Sequence, residues 1–296
     1  MQQRLEFALV WLLVKLLGWL PRTAARKIGA GIGSVAHAAV PRLRQVGMQN
    51  LALAFPEKSS VQHRQILRVL YRNLGWQLAE FCRMPHYTLA KANQFIRYDG
   101  LEHYLEARSR GKGVLVLTGH IGAWELSSFY HSLAGYPMSM VIRRLDNPYL
   151  DRFVNEIRCL HGNHVLHKDD FARVLIASMR AGETVGVLMD TNMTPPQGVF
   201  VDFFGHTACT AAGVARVAQR TGATVLPGFL VWEDTETRYV LHFLSPLELV
   251  CTGSDEHDTV ANTQLFTRAL EDIIRRYPEQ WLWVHRRWKT RPLQAK

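Results

Sequence analysis

Cysteine is scarce: the 296 residues hold four, Cys82, Cys159, Cys209 and Cys251, and no CxxC pair. That spacing argues against a cysteine zinc site or a disulfide framework and suits a reducing compartment. Buried, inert thiols are the expectation for all four. The chain also lacks a GxSxG elbow, a P-loop, a GxGxxG fingerprint and an HExxH pair. A serine or cysteine acyl-enzyme route therefore has no motif behind it, and neither does nucleotide or dinucleotide binding. No repeat or low-complexity linker divides the chain. Acidic residues are missing from two stretches, 7–56 and 281–296.

The basic residues left uncompensated there dominate a net charge of +10. Lys15, Arg22, Arg26, Lys27, Arg42 and Arg44 occupy the first stretch; Arg286, Arg287, Lys289, Arg291 and Lys296 occupy the second, among Trp281, Trp283 and Trp288. Such regions attract polyanions: nucleic acid, an anionic membrane surface or an acidic protein. Without a helix-turn-helix, RNP or zinc-finger signature, nucleic acid is not expected as a partner. The N-terminus tilts the choice to membrane. Phe7–Leu20 is apolar apart from Lys15. It is shorter than the about 20 residues of a spanning helix, and it lacks the cleavage site of a signal peptide. Trp11 and Trp19 beside basic residues suit an interfacial anchor over residues 1–20. A buried core helix is the alternative, and a short span completed by flanking residues is a third reading. Positive charge after the anchor places the body on the cytoplasmic side.

Beyond the anchor, residues 21–94 read as helical, and 95–296 alternate strand and helix. Gly29, Gly31 and Gly33 mark a closely packed helix over 22–40, and an amphipathic helix runs from Ser59 to Arg83. Strands are expected at 113–118, 138–142, 184–189, 224–231 and 238–243. Helices are expected near 122–134, 147–161, 170–181, 211–222 and 257–276. This order predicts an α/β fold: a mixed, largely parallel sheet flanked by helices, with an N-terminal helical, membrane-associated part. Ligands in such folds collect at the carboxyl ends of strands.

Several chemically capable residues fall at those ends. Val114–Leu117 delivers His120 to a turn, and Glu125 follows at the start of the next helix. Glu125 reaching back to the imidazole makes a general-base pair; the plain alternative is a turn-capping histidine beside a solvated glutamate. Arg143 and Arg144 follow the strand at 138–142 and suit a phosphate or an oxyanion, or simply the surface. Asp190 ends the strand at 184–189, and Asn192 sits in the proline-rich loop after it, in either a functional or a turn-forming role. Thr210 is placed to N-cap a helix from Ala211, whose N-terminus could attract a phosphate. His164 and His167 read as surface or core histidines.

At this point the residues resemble the lipid A biosynthesis lauroyl/myristoyl acyltransferases of Gram-negative bacteria. Gly119-His120-Ile121-Gly122-Ala123-Trp124-Glu125 looks like that family's HX4(D/E) block. Asn50–Glu57, Arg143 with Asn147-Pro148, and Val199–Gly205 with Ala208 and Thr210 then follow in order. Gly222-Ala223 and Pro227 come next, and Tyr277–Pro292 is similar to the C-terminal signature. Where many members carry Asp-Gln-Asp and a proline, this chain has Asp190-Thr191-Asn192 and Asp202, which leaves the acceptor open. The resemblance implies a membrane-associated acyltransferase at the cytoplasmic face of the inner membrane. His120 would be the general base and Glu125 its orienting carboxylate, with Arg143 at an oxyanion or donor phosphate and Asp190 positioning the acceptor. It further implies no cofactor, an acyl carrier protein or CoA thioester as donor, and an anionic lipid A precursor as acceptor. Another lysolipid or glycolipid acceptor is the runner-up. A metal-dependent hydrolase using His120, Glu125, Asp190 and His164, and a catalytically silent lipid-binding protein, are the rivals from other classes.

Overall fold

A computed structural model of the chain describes residues 1–167 and 171–292. Four helices come first: α1 (Gln2–Trp19), α2 (Arg22–Ala39), α3 (Pro41–Ala54) and α4 (Ser60–Arg83). A short α5 (Leu89–Ala92) leads to β1 (Ile96–Asp99), α6 (Leu101–Ser109), β2 (Val114–Thr118) and α7 (Trp124–Leu133). Then come β3 (Ser139–Ile142), α8 (Pro148–Arg158), β4 (His164–His167), α9 (Phe171–Arg180) and β5 (Thr184–Leu188). A hairpin, β6 (Gly198–Phe203) and β7 (His206–Ala211), precedes α10 (Gly213–Thr221), β8 (Thr224–Glu233), β9 (Arg238–Phe243) and α11 (Asp255–Arg276).

Seven strands form one sheet in the order β1-β9-β8-β2-β5-β3-β4, and every pairing is parallel except β8 with β9. The mixed, largely parallel sheet expected from the alternation is therefore present. Alternate residues of a strand face opposite sides. Leu115, Leu117, Val185 and Val187 share a core with α3, α4, α9, α10 and α11, whereas Val114 and Val116 belong to a second cluster with α6 and α7. Leu51, Phe55, Leu67 and Leu70 of the N-terminal helical region lie in the first of these cores.

Two of the three glycines of α2, Gly29 and Gly33, pack closely as the sequence suggests, and Gly31 does not. A Cβ at Gly29 or Gly33 would lie 2.1 Å from the Gly75 carbonyl or 2.0 Å from the Tyr71 carbonyl, so α2 and α4 touch backbone to backbone. Gly31 faces open space. Gly33→Ala is accordingly expected to cost about 2 kcal/mol through overpacking, and Gly31→Ala to be neutral or slightly stabilising. Urea unfolding of the two variants checks the contrast. The long helix α4 starts where expected, on a reciprocal capping box between Ser59 and Gln62.

Four strands escaped the sequence reading. β1 and β4 are four-residue edge strands, too short for periodicity to register. β6 and β7 form a separate two-stranded ribbon around a tight turn, where Phe204 and Gly205 both adopt positive φ (57° and 74°). That hairpin corrects the assignment of Thr210. It is a buried residue of β7, not a helix cap, and Ala212 occupies the N-cap position of α10. The inert-thiol expectation holds for Cys82 and Cys209, which are buried, while Cys159 is half-buried and Cys251 exposed. Lys296 and the first residue of the expected helix at 170–181 lie outside the described residues.

Among the described residues no helix is long and apolar enough to cross a membrane. Helix α1 buries Val14 and Leu17 against the body and leaves Leu5, Leu9, Leu12, Leu16 and Trp19 exposed.

Candidate active site

Strands β2 and β5 are parallel neighbours in the register Val114↔Thr184 to Thr118↔Leu188. Two residues beyond that ladder, the same register brings His120 to Asp190. Nδ1 of His120 lies 2.8 Å from Asp190 Oδ1, and the His120 backbone N–H donates to Oδ2 at 2.6 Å. The indole N–H of Trp281 donates to the same Oδ2 at 2.8 Å. The carboxylate is fully buried and meets three donors. Burial works to raise its pKa, but the imidazole of His120, the hydrogen bonds from that residue and the neighbouring His285 outweigh it, so Asp190 is held below the ordinary carboxylate range and stays ionised. With Asp190 accepting from Nδ1–H, the basic lone pair of His120 sits on Nε2.

The C-terminal segment closes over this pair. Leu282 N–H donates to the His120 carbonyl at 3.0 Å, and Gly122 N–H to the Gln280 carbonyl at 3.0 Å. His285 reaches the Asp190 carbonyl with Nε2 (3.1 Å) and the Leu282 carbonyl with Nδ1 (2.7 Å). Its burial pushes the pKa down, against the opposing pull of Asp190. Arg287, 1% exposed, donates to the Cys209 carbonyl and to Thr210 Oγ1, with its guanidinium over the Phe203 ring. Burial lowers its pKa to about 10, still well above neutrality, so the cation persists close to buried Asp190. Thr210 thus holds Arg287 in place and caps nothing.

Glu125 does not orient His120. As the sequence suggested it lies in the first turn of α7, but its carboxylate is taken by Arg158 at the end of α8: Nη2 to Oε1 at 2.5 Å and Nε to Oε2 at 2.8 Å. The HX4E spacing therefore builds two devices. His120 turns toward the sheet and its aspartate, while Glu125 turns toward the neighbouring helix. Arg143 is likewise not gathered into this network. Its side chain is 69% exposed and pairs with Asp146 at 3.2 Å, because the chain leaves the sheet after Ile142 into an exposed loop. Asn192 exchanges two hydrogen bonds with Thr290 (2.9 and 3.0 Å) and so clips the C-terminal segment beside the pair. His164 sits on edge strand β4, and among the described residues no group of three His, Cys, Asp or Glu side chains is placed to hold a metal ion.

An apolar cavity opens between α7 and the sheet. Thr118, Ile142, Leu188 and Trp124, with Glu125 and Arg158, line it near the strands' carboxyl ends; Val116, Met138, Gly186, Gly228, Phe243 and His131 line its depth. From Ile142 back to Met138 it runs about 13 Å along the strands. Gly186 and Gly228 keep it open, since a Cβ there would meet the Met138 methyl at 2.7 Å or Val116 and Phe243 at 2.9 Å. The imidazole of His120 stands edge-on to Trp124, one of its lining residues, with ring centroids 5.2 Å apart. The arrangement offers a basic nitrogen beside a lining residue of an apolar cavity.

Sequence comparison agrees with that chemistry. The family described as bacterial lipid A biosynthesis acyltransferase matches residues 2–290. The chain is 27% identical to the lipid A biosynthesis lauroyltransferase of Escherichia coli K12, across 97% of this chain and 91% of the relative. It is 27% identical to the palmitoleoyltransferase of the same strain, across 96% and 90%. To that strain's myristoyltransferase it is 24% identical, across 84% and 76%. With the match running through both the His120 turn and the C-terminal segment that covers it, the chain belongs to the bacterial lipid A biosynthesis acyltransferases and is an acyltransferase.

Proposed function

We propose that the protein moves a fatty acyl chain from a carrier thioester to a hydroxyl of a lipid A precursor, with His120 as general base. The observation that carries this reading is the apolar cavity that opens beside the His120–Asp190 pair. Nε2 of His120 takes the proton of the acceptor hydroxyl as its oxygen attacks the thioester carbonyl carbon. The tetrahedral intermediate collapses with loss of the thiolate, and the imidazolium returns its proton to that sulfur. Asp190 holds the imidazole in the productive tautomer and stabilises the cation that forms, as a buried carboxylate does beside a catalytic histidine. Glu125 and Arg158, locked together at the cavity mouth, fix where the acyl chain enters. No cofactor is required by these steps.

The donor is an acyl carrier protein thioester, with acyl-CoA as the alternative; an acidic carrier suits a chain of net charge +10. Work at the cytoplasmic face of the inner membrane is supported by α1, whose exposed leucines and Trp19 form an interfacial face next to basic residues. Incubation of the purified protein with an acyl carrier protein thioester and a lipid A precursor, read by mass spectrometry, tests the reading. One added acyl chain on the lipid is expected. Hydrolysis of the thioester with no lipid product would overturn it.

A further inference from the structure

Helix α3 and the C-terminal segment enclose a second groove, outside the His120 network. Arg42, Gln45 and Gln49 on one face of α3 oppose Arg286, Lys289 and Arg291. The groove is held rigidly. Asn50, buried between its walls, donates to the carbonyls of Trp283 and His285, both at 2.7 Å. Among the described residues, none of the four cations makes an ion pair or a side-chain hydrogen bond. This contrasts with the arginines elsewhere that meet carboxylates, such as Arg22, Arg97, Arg158 and Arg275.

Four converging, uncompensated cations with two side-chain amides make a site for a multiply charged anion, and guanidinium forks fit phosphate oxygens. The surroundings specify the carrier of that phosphate. Val40 and Leu43, beside Arg42, are exposed, as are Ile28, Ile32 and Val35 on the preceding helix. Cations bordering an exposed apolar strip are the pattern of a lipid headgroup contact. Trp288 lines the groove but is buried against Phe203, which leaves no open aromatic platform for nucleic acid. Distance ties the groove to the reaction. Thr290, between Lys289 and Arg291, is hydrogen-bonded to Asn192, two residues from Asp190, a path of about 15 Å.

We propose that this groove binds a phosphate of the lipid that accepts the acyl chain. The proposal rests on the acyl-transfer reading for calling that lipid the acceptor, but binding itself is measured without a donor, so either can fail alone. The probe is phosphatidylcholine vesicles carrying lipid A, compared with vesicles carrying the same lipid A stripped of phosphate and with vesicles carrying phosphatidic acid. The wild-type protein is expected to bind the phosphorylated lipid A vesicles best. Arg42→Gln with Lys289→Gln should lose about fivefold for each charge removed, about 25-fold together. A charge-matched control, Lys112→Gln with Arg180→Gln at the far ends of the strands, should lose little. In turnover the groove variant should raise KM for the lipid and leave kcat unchanged. An equal loss in the control, equal wild-type binding to the dephosphorylated or phosphatidic acid vesicles, or loss of carrier-protein binding with lipid binding intact would each overturn the proposal.

Discussion

His120→Ala is expected to lower kcat about 10²–10⁴-fold, the span that a positioned general base contributes, while KM for the donor changes little. The imidazole stands at the rim of the cavity and does not line it, so its loss should spare acyl-chain binding. Asp190→Asn should be nearly as damaging, although the change is isosteric. Three N–H groups converge on the carboxylate, from the His120 main chain, His120 Nδ1 and Trp281 Nε1. An amide has one oxygen and a donor of its own, so the favourable response is for the imidazole to change tautomer. The lone pair then moves to Nδ1, facing the amide, and Nε2 carries a hydrogen where it must accept one. Loss of about 10⁴-fold in kcat is the scale for such a tautomer reversal. Glu125→Gln should behave differently, because it loosens Arg158 at the cavity mouth and acts first on KM for the donor. Steady-state kinetics of the three variants, each with wild-type near-ultraviolet circular dichroism, make the comparison. Near-normal turnover by pure His120→Ala protein would sink the base assignment.

The histidine was legible in the sequence and its partner was not. An apolar run ending in Gly-His marks a strand's carboxyl end, and the same signal marks Asp190 after Val185–Met189. What joins them is that β2 and β5 are neighbours in a given register, which no local pattern encodes. Glu125 is closer in sequence and so the natural candidate to orient the imidazole. Arg158, at the end of a helix thirty-three residues away, offered no signal to outbid it. Arg143 was attractive because it directly follows a strand, yet the exposed loop there turns it to solvent. The hairpin at 198–211 reads as loop and cap until the positive φ at Phe204 and Gly205 reveals a two-residue turn. Trp281 and His285 were visible as part of a basic, aromatic tail. Their contact with Asp190 follows from the tail folding back across the His120 turn, a consequence of three-dimensional packing. Helix α2 was readable in its span and in Gly29 and Gly33, because close approach demands glycine, whereas Gly31 shares their spacing but faces open space.

Acid lability is the second large expectation, and its source is His131. This α7 residue is 1% exposed, ringed by Tyr98, Tyr104, Tyr136 and Phe243. Nδ1 meets the Tyr98 hydroxyl at 2.9 Å, while Nε2 is buried with no hydrogen-bond partner. Burial, with a smaller push from Arg108, lowers its pKa from 6.5 to about 3. Between those values the unfolded chain binds a proton that the folded protein refuses, so stability falls as pH falls. The loss begins near 6.5, accumulates at about 1.4 kcal/mol per pH unit, and ends near 3. It reaches about 3 kcal/mol by pH 4.5. His285, whose pKa burial also lowers, steepens the same decline. Asp190, whose pKa is depressed, adds nothing until the pH drops below the ordinary carboxylate value. His131→Phe keeps the aromatic packing and removes the titrating group, at the cost of leaving the Tyr98 hydroxyl without its partner, about 1–2 kcal/mol. The variant should therefore be less stable than wild type at pH 7 and more stable at pH 4.5. Urea midpoints at the two pH values measure this crossing, and parallel losses in both proteins would assign the acid sensitivity to other groups.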